Sequence, residues 1–256
     1  MRNILIKCVL LLWLGAGAGA LQASPIESNL LLQYQGWQTG WKVGQIAGDD
    51  VLNGGADVYA GMYRMSPFET LDSGSLLNQF LDDEQNFNAF CVETSQALYT
   101  GTNPAGKGIT YSLWTLEEYL GSPDDDVAAA GGSPDVLSLI AALFSLTDVA
   151  LGEDAIHLGA IAEDDAAFQL ALWTIINDED FKVVSGFGGA PAKADDWLSK
   201  IDNTEGHAPS RFDFYVLRSD GSQNLLVWKA ATEVPLPATL WLMLAGILGV
   251  GLARRS

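Results

Sequence analysis

The chain has 256 residues, of which 48% are hydrophobic, with 13 Lys and Arg against 32 Asp and Glu and a formal net charge of -19. The length allows one large domain or two small ones. The negative charge argues against nucleic acid and anionic lipid as partners. It is compatible with divalent cations, although a solvated acidic surface is the simpler explanation.

The first 23 residues have the order of features that defines a Sec-type signal peptide. Arg2 and Lys7 form a positive region, residues 9–14 form an apolar region, and small residues at 18–20 provide a cleavage site. Such a segment is removed during export. We therefore expect a signal peptide over residues 1–23 and an exported protein beginning near residue 24.

The segment 34–65 is rich in glycine, tryptophan and tyrosine. We expect short strands here, with turns at Gly48 and at residues 53–55. Aromatic side chains such as Trp37 and Trp41 either fill a small β core or stack on sugars, and the sequence leaves both interpretations open.

A single cysteine, Cys91, remains once Cys8 leaves with the signal peptide. An unpaired cysteine in an exported protein indicates either a reactive thiol or a small buried apolar residue. Residues 88–94 predict a strand with Phe90 and Val92 on one face and Cys91 on the other.

The middle of the chain reads as mainly helical. We predict a short helix over residues 111–120, a solvated loop over 122–134 and a second helix over 134–151. A glycine-rich loop at 186–189 separates the later helices, the last of which we expect at 194–201.

Between them, residues 164–177 predict a further helix, which begins with acidic residues that favour a helix N-terminus. At 100° per residue, one narrow stripe of this helix carries Ala166, Gln169, Trp173 and Ile176. A glutamine amide on such an apolar stripe needs a partner, which is either a backbone group or a covalent bond.

Phe-Cys-Val-Glu around Cys91 and Gln-Leu-Ala-Leu-Trp beginning at Gln169 resemble the two halves of a thioester domain, a family found on bacterial surface adhesins. The resemblance implies that the Cys91 thiol condenses with the Gln169 side chain, with loss of ammonia, to form an internal thioester. Phe168 stands where this family typically has threonine. We assign Phe90 and Trp173 to the apolar shield that keeps water from the bond.

Residues 211–217 and 225–228 predict two strands joined by a hairpin turn at residues 220–221. Strands therefore precede and follow the helical segment. We predict an α+β fold in which a short-stranded β part flanks a helical middle, together with the N-terminal signal peptide and one C-terminal transmembrane helix.

The last segment, 234–256, joins a Val-Pro-Leu-Pro-Ala motif to a short apolar helix and two arginines. It resembles the VPLPA variant of the PEP-CTERM sorting signal, although an ordinary tail anchor remains an alternative. The resemblance implies recognition by an exosortase in the envelope of Gram-negative bacteria, transient anchoring in the inner membrane, and delivery to the cell surface or extracellular matrix. The motif residues are Val234, Pro235, Leu236, Pro237, Ala238, Arg254 and Arg255.

The exported domain, 24–233, holds all 32 acidic residues and 9 of the 13 basic ones, and so carries a net charge of −23. Two groups of residues are candidate calcium ligands, but neither has the spacing of an EF-hand loop. The groups are Asp49, Asp50, Asn53 and Asp57, and residues 178–180. His157 and His207 lie in no catalytic motif. We predict no cofactor, no metal site and no enzyme activity.

The sequence thus favours an exported surface protein that attaches covalently, through Gln169, to an amine or hydroxyl of a surface or matrix protein or polysaccharide. The alternative is a non-covalent exopolysaccharide-binding or structural surface protein without a thioester. An enzyme would require a marked pair of carboxylates, which the acidic segments do not single out.

Overall fold

The computed structural model describes residues 24–48, 57–98, 108–122, 134–147, 156–177, 181–202 and 211–231. The strands are β1 (Glu27–Trp37), β2 (Lys42–Ala47), β3 (Asp57–Ala60), β4 (Tyr63–Pro67), β5 (Phe87–Cys91), β6 (Ile109–Thr115), β7 (Lys182–Gly186), β8 (Phe212–Arg218) and β9 (Leu225–Ala230). The helices are α1 (Leu116–Leu120), α2 (Pro134–Ser145), α3 (Ala162–Asn177) and α4 (Ala190–Asp202), and Leu76–Gln79 forms a 3₁₀ turn.

Six strands close into a barrel in the order β1-β4-β5-β9-β8-β6. Every neighbouring pair is antiparallel. Ala89 of β5 lies opposite Tyr63 of β4, and Cys91 lies opposite Leu225 of β9. Because side chains alternate across a strand, these four residues face the same side of the sheet, which is the barrel interior.

The interior is filled by apolar and aromatic side chains. Closure leaves no free sheet edge to the six strands and encloses their inner face. Buried interior residues include Leu32, Tyr63, Met65, Ala89, Cys91, Tyr111, Leu113, Leu217 and Leu225.

Helix α3 lies against the outside of the barrel, and all ten residues from Asp164 to Trp173 are buried. An aromatic cluster joins the helices to the outward faces of β5, β8 and β9. Phe168 of α3 and Phe144 of α2 are 4.8 Å apart between ring centroids, and Phe144 also contacts Phe214 and Trp228. This cluster fixes α3 relative to the strand that carries Cys91.

The second sheet has three strands in the order β3-β2-β7, and α3 also packs against β2 and β3. Ile46 points inward and is buried, whereas the other face carries exposed apolar side chains. These are Val43, Tyr59 and Val184, with Trp41 immediately before β2.

The predicted fold class is wrong, because the strands are organised as a closed barrel and they interrupt the segment expected to be helical. Residues 109–115 form strand β6, and only Leu116–Leu120 of the predicted 111–120 helix is helical. Thr115 marks the boundary: its hydroxyl accepts from the Glu118 N–H at 3.1 Å and donates to the Glu118 carboxylate at 2.9 Å. The Thr-x-x-Glu sequence is a capping box, which starts a helix at this threonine.

The predicted C-terminal transmembrane helix lies outside the described residues, and no helix among the described residues is long and apolar enough to cross a membrane. Several other predicted features also fall outside the described ranges. They are the signal peptide at 1–23, the sorting motif from Val234 to Ala238 with Arg254 and Arg255, the candidate calcium ligands Asp49, Asp50, Asn53 and 178–180, and His207.

Candidate functional site

Cys91 and Gln169 lie together although 78 residues separate them in the sequence. The Cys91 backbone N–H donates to Gln169 Oε1 at 2.9 Å, and Gln169 Nε2 donates to the Cys91 carbonyl oxygen at 2.8 Å. Both residues are fully buried. The Gln169 amide, which the sequence places on an apolar stripe of its helix, therefore has a partner. That partner is the backbone of Cys91.

The Gln169 side chain occupies the position of a missing strand residue. The Val92 N–H faces β9, where it donates to the Asn224 carbonyl oxygen at 3.0 Å. Backbone groups of successive residues alternate in direction, so the N–H and C=O of Cys91 face the opposite neighbour, β4. Strand β4 begins at Tyr63, opposite Ala89, and the Gln169 amide fills the next position of the ladder.

The Cys91 thiol points into the end of the barrel and meets polar side chains there. Its Sγ donates to Gln223 Oε1 at 2.6 Å. Burial raises the pKa of the Cys91 thiol well above its ordinary value; a hydrogen bond with Tyr63 opposes this shift, and the nearby charge of Glu93 adds to it. The thiol is therefore protonated at neutral pH.

A buried polar network closes this end of the barrel above the thiol. Glu93 accepts from the Asn224 backbone N–H at 2.8 Å and from Asn224 Nδ2 at 3.2 Å. Asn224 also contacts the Tyr119 hydroxyl and accepts from the Ser219 N–H. Gln223 Nε2 donates to the Glu93 carbonyl oxygen at 2.6 Å, so this network fixes the amide that faces the thiol.

Phe168 packs directly on Phe90, with ring centroids 4.8 Å apart and an interplanar angle of 30°. Both rings are fully buried on the outside of the barrel. The phenylalanine at 168 thus serves the contact between α3 and β5, which a threonine is too small to make.

The two residues assigned to shielding occupy different positions. Phe90 lies on the face of β5 opposite to Cys91, so it covers the strand from outside rather than the thiol itself. Trp173, one turn beyond Gln169, is buried and contacts Phe181 at 6.0 Å. The described contacts do not bring Trp173 to Cys91, and the shielding role of both residues stays a prediction.

Sequence reasoning did not select Gln223 or Tyr63, although both adjoin the thiol. Gln223 lies in the loop between β8 and β9, where polar residues ordinarily face water, so no local pattern marks it. Tyr63 follows the Gly-rich segment as one aromatic among several. Only the pairing of β4 with β5 brings it beside Cys91.

His157 is exposed and does not belong to the buried polar network above the thiol. Among the described residues, no group of three or more His, Cys, Asp or Glu side chains is arranged to hold a metal ion. Asp57, the described member of the acidic group at 49–57, accepts a hydrogen bond from Gln45 at 3.4 Å.

The arrangement suits acyl transfer at the Gln169 side chain. A nucleophile that attacks Gln169 Cδ places negative charge on Oε1, and the Cys91 N–H already donates to this oxygen. Such a preorganised donor stabilises a tetrahedral intermediate. The Cys91 thiol belongs to the residue whose backbone holds the amide, which makes it the candidate nucleophile.

No protein-family model and no curated protein matches the sequence. Among solved structures, the chain is similar to the N-terminal thioester domain of a surface protein from Clostridium perfringens, at 13% identity over 75% of this chain and 99% of that chain, with a TM-score of 0.36. A cysteine-to-alanine mutant of such a domain from the same organism gives 14% identity over 58% and 85% of the two chains, with a TM-score of 0.36. The pilus-presented adhesin Cpa gives 14% identity over 80% and 67%, with a TM-score of 0.37. TM-scores this low do not establish a common fold, so the function is inferred from the contacts around Cys91.

Proposed function

We propose that this protein carries an internal thioester between Cys91 and Gln169 and uses it to attach covalently to a partner outside the cell. The observation that carries the proposal is the double hydrogen bond between the Gln169 amide and the Cys91 backbone, at 2.9 and 2.8 Å. It holds the acyl carbon beside the residue that bears the thiol, in a site from which water is excluded.

The bond forms by attack of Cys91 Sγ on Gln169 Cδ. The S–C bond replaces the C–N bond, the thiol proton moves to the departing nitrogen, and ammonia leaves. Attachment reverses the exchange: an amine or hydroxyl of the partner attacks Gln169 Cδ, the C–S bond breaks, and the proton of the nucleophile passes to Cys91 Sγ. The hydrogen bond of Tyr63 with the sulfur supports departure of the thiolate. Each molecule reacts once, so this role is attachment rather than enzymatic turnover.

Intact mass spectrometry of the exported protein tests the thioester. We expect a mass below that of the mature sequence by one ammonia, and an increase by one methylamine after incubation with that amine. Cys91→Ala removes the thiol and keeps the backbone groups that hold Gln169, so it should have its full calculated mass and resist methylamine.

Full mass for the parent protein, with Cys91 alkylated only after unfolding, would show a buried free thiol and contradict the thioester. The same spectra report how completely the bond forms with phenylalanine rather than threonine at position 168. A partial mass deficit measures the fraction of molecules in which the bond has formed.

We further infer export through the Sec pathway and processing by an exosortase, as the signal-peptide pattern at 1–23 and the Val234–Ala238 motif indicate. Changing Pro235 and Pro237 together to alanine should leave the segment 234–256 attached in the recovered protein. Recovery of unprocessed parent protein from the cell surface, with Ser256 still present, would contradict sorting by this motif.

A further inference from the structure

An exposed aromatic surface lies beside the thiol site. Trp41 is 50% and Tyr59 is 52% exposed, and their ring centroids are 6.2 Å apart. The ring of Trp37 contacts both, at 5.8 Å from Trp41 and 6.5 Å from Tyr59. We refer to these three residues as the aromatic face.

Tyr63 connects the aromatic face to the thiol. Trp37 lies opposite Tyr63 across the β1–β4 pair, with ring centroids 4.4 Å apart and an interplanar angle of 32°. Tyr63 in turn forms the hydrogen bond with Cys91 that affects the pKa of the thiol. A molecule that binds Trp41 is thus separated from the thiol site by the rings of Trp37 and Tyr63.

The charge next to Tyr59 on β3 is negative and favours a cation, whereas Lys182, on the same sheet face, lies at the start of β7. Asp57 and Tyr59 alternate along β3 onto the same exposed face, which places a carboxylate beside the rings. Lys42, next to Trp41, is paired with Glu163 at 3.8 Å, so its positive charge is offset. The whole chain has a net charge of -19, which attracts basic partners.

We propose that the aromatic face is the docking site for a lysine-rich segment of a partner protein. One lysine ammonium stacks on the rings of Trp41 and Tyr59, where a cation is attracted to the electron-rich ring face, and Asp57 lies within the same surface. A polysaccharide also stacks on aromatic rings, but an uncharged sugar gains nothing from the acidic surroundings.

This inference rests on the proposed thioester for its covalent step. A neighbouring lysine of the docked segment, in its neutral form, attacks Gln169 Cδ. The new C–N bond forms as the C–S bond breaks, and the amine proton passes to Cys91 Sγ. The product is an amide between the Gln169 side chain and the partner lysine, with a free thiol at Cys91.

The test compares two amine probes on the full protein. An oligolysine peptide requires docking for efficient reaction, whereas methylamine is small enough to react without it. In the double variant Trp41→Ala/Tyr59→Ala, we expect the rate of oligolysine adduct formation to fall about tenfold, as the loss of two ring contacts with a cation implies, with little change in the methylamine rate. Val184→Ala, a matched control on the same sheet at 58% exposure, should alter neither rate.

Cys91→Ala separates the docking site from the thioester, because it cannot form the bond and retains the aromatic face. Its reversible binding to oligolysine, measured by fluorescence anisotropy, should weaken about tenfold when Trp41 and Tyr59 are also replaced. Unchanged oligolysine binding would overturn the docking site, even where the parent mass confirms a thioester. Adducts of the parent protein with dextran that form faster than those with oligolysine, and that depend on Trp41, would instead assign the face to a polysaccharide.

Discussion

The Gln169 side chain pairs with the backbone of Cys91 as a strand residue would, accepting from its N–H at 2.9 Å and donating to its C=O at 2.8 Å. A residue of helix α3 thereby extends the barrel sheet beyond the start of β4. Both oxygen and nitrogen of the amide are used, so the orientation of the side chain is fixed without any covalent bond.

Replacing Gln169 by glutamate should destabilise the protein by about 3 kcal/mol. A carboxylate oxygen would then face the Cys91 carbonyl oxygen in a fully buried position, with no proton between them. Urea unfolding in a Cys91→Ala background measures the effect, because no thioester complicates the comparison there.

Gln79→Glu is the control for this charge change. Gln79 is exposed, and its Oε1 accepts from Lys229 Nζ at 2.9 Å, a contact that a carboxylate retains. We expect a change of no more than about 0.5 kcal/mol. Equal effects of the two substitutions would mean that the paired geometry at Cys91 contributes nothing.

Phe168→Thr, which introduces the residue typical of thioester domains, should cost about 3 kcal/mol in stability. The substitution removes a ring that contacts Phe90 and Phe144, both at 4.8 Å, and leaves a hydroxyl in an apolar cluster. Phe80→Thr is the comparison, since Phe80 is half-buried and meets Tyr215 at 5.3 Å, and it should cost less. A neutral effect of Phe168→Thr in thermal unfolding would argue that the cluster tolerates the family's residue.

The free thiol of Cys91 should make the protein sensitive to alkaline pH. Since burial raises its pKa, the folded state keeps a proton that the unfolded chain loses near pH 9.0. The contribution of this thiol to the free energy of unfolding is fully present below that pH. It is lost as the pH rises towards the folded-state pKa, at up to about 1.4 kcal/mol per pH unit. Tyr63 and Tyr111, whose pKa values burial also raises, act in the same direction.

Methylamine-treated protein, in which the thiol has been released, should therefore lose more stability between about pH 8 and about pH 10 than Cys91→Ala. Urea unfolding at several pH values measures the difference. Both samples retain the buried tyrosines, so the part of the pH dependence that burial of these hydroxyls causes is common to both. Identical slopes would indicate that the released thiol does not remain buried.

The elements that carry the site were predictable because their signals are local. Alternation around Phe90 and Val92 marks the strand at Cys91, and the acidic first turn marks the start of the Gln169 helix. The hairpin around residues 220–221 also follows from its turn residues and forms β8 and β9.

Closure of the barrel was not predictable in the same way, because it depends on pairs between distant segments. Leu32 pairs with Ile109, and Cys91 pairs with Leu225, and nothing in either segment specifies its partner. The boundary at Thr115 was readable from its capping sequence and was missed because the aromatic residues of β6 also fit a helix. Gln223 lies beside the thiol because the closed barrel pairs β5 with β9.

A thioester between strand β5 and helix α3 would be a crosslink that closes a loop of 78 residues. Closing a loop of this size restricts the unfolded chain and stabilises the folded one by about 4 kcal/mol, as a disulfide of similar span does. Reaction with a partner opens that loop, so the protein loses its internal crosslink when it forms the covalent bond to the partner. The attached molecule should consequently unfold more readily than the unreacted one, and mechanical load carried through the new bond would enter the fold at α3.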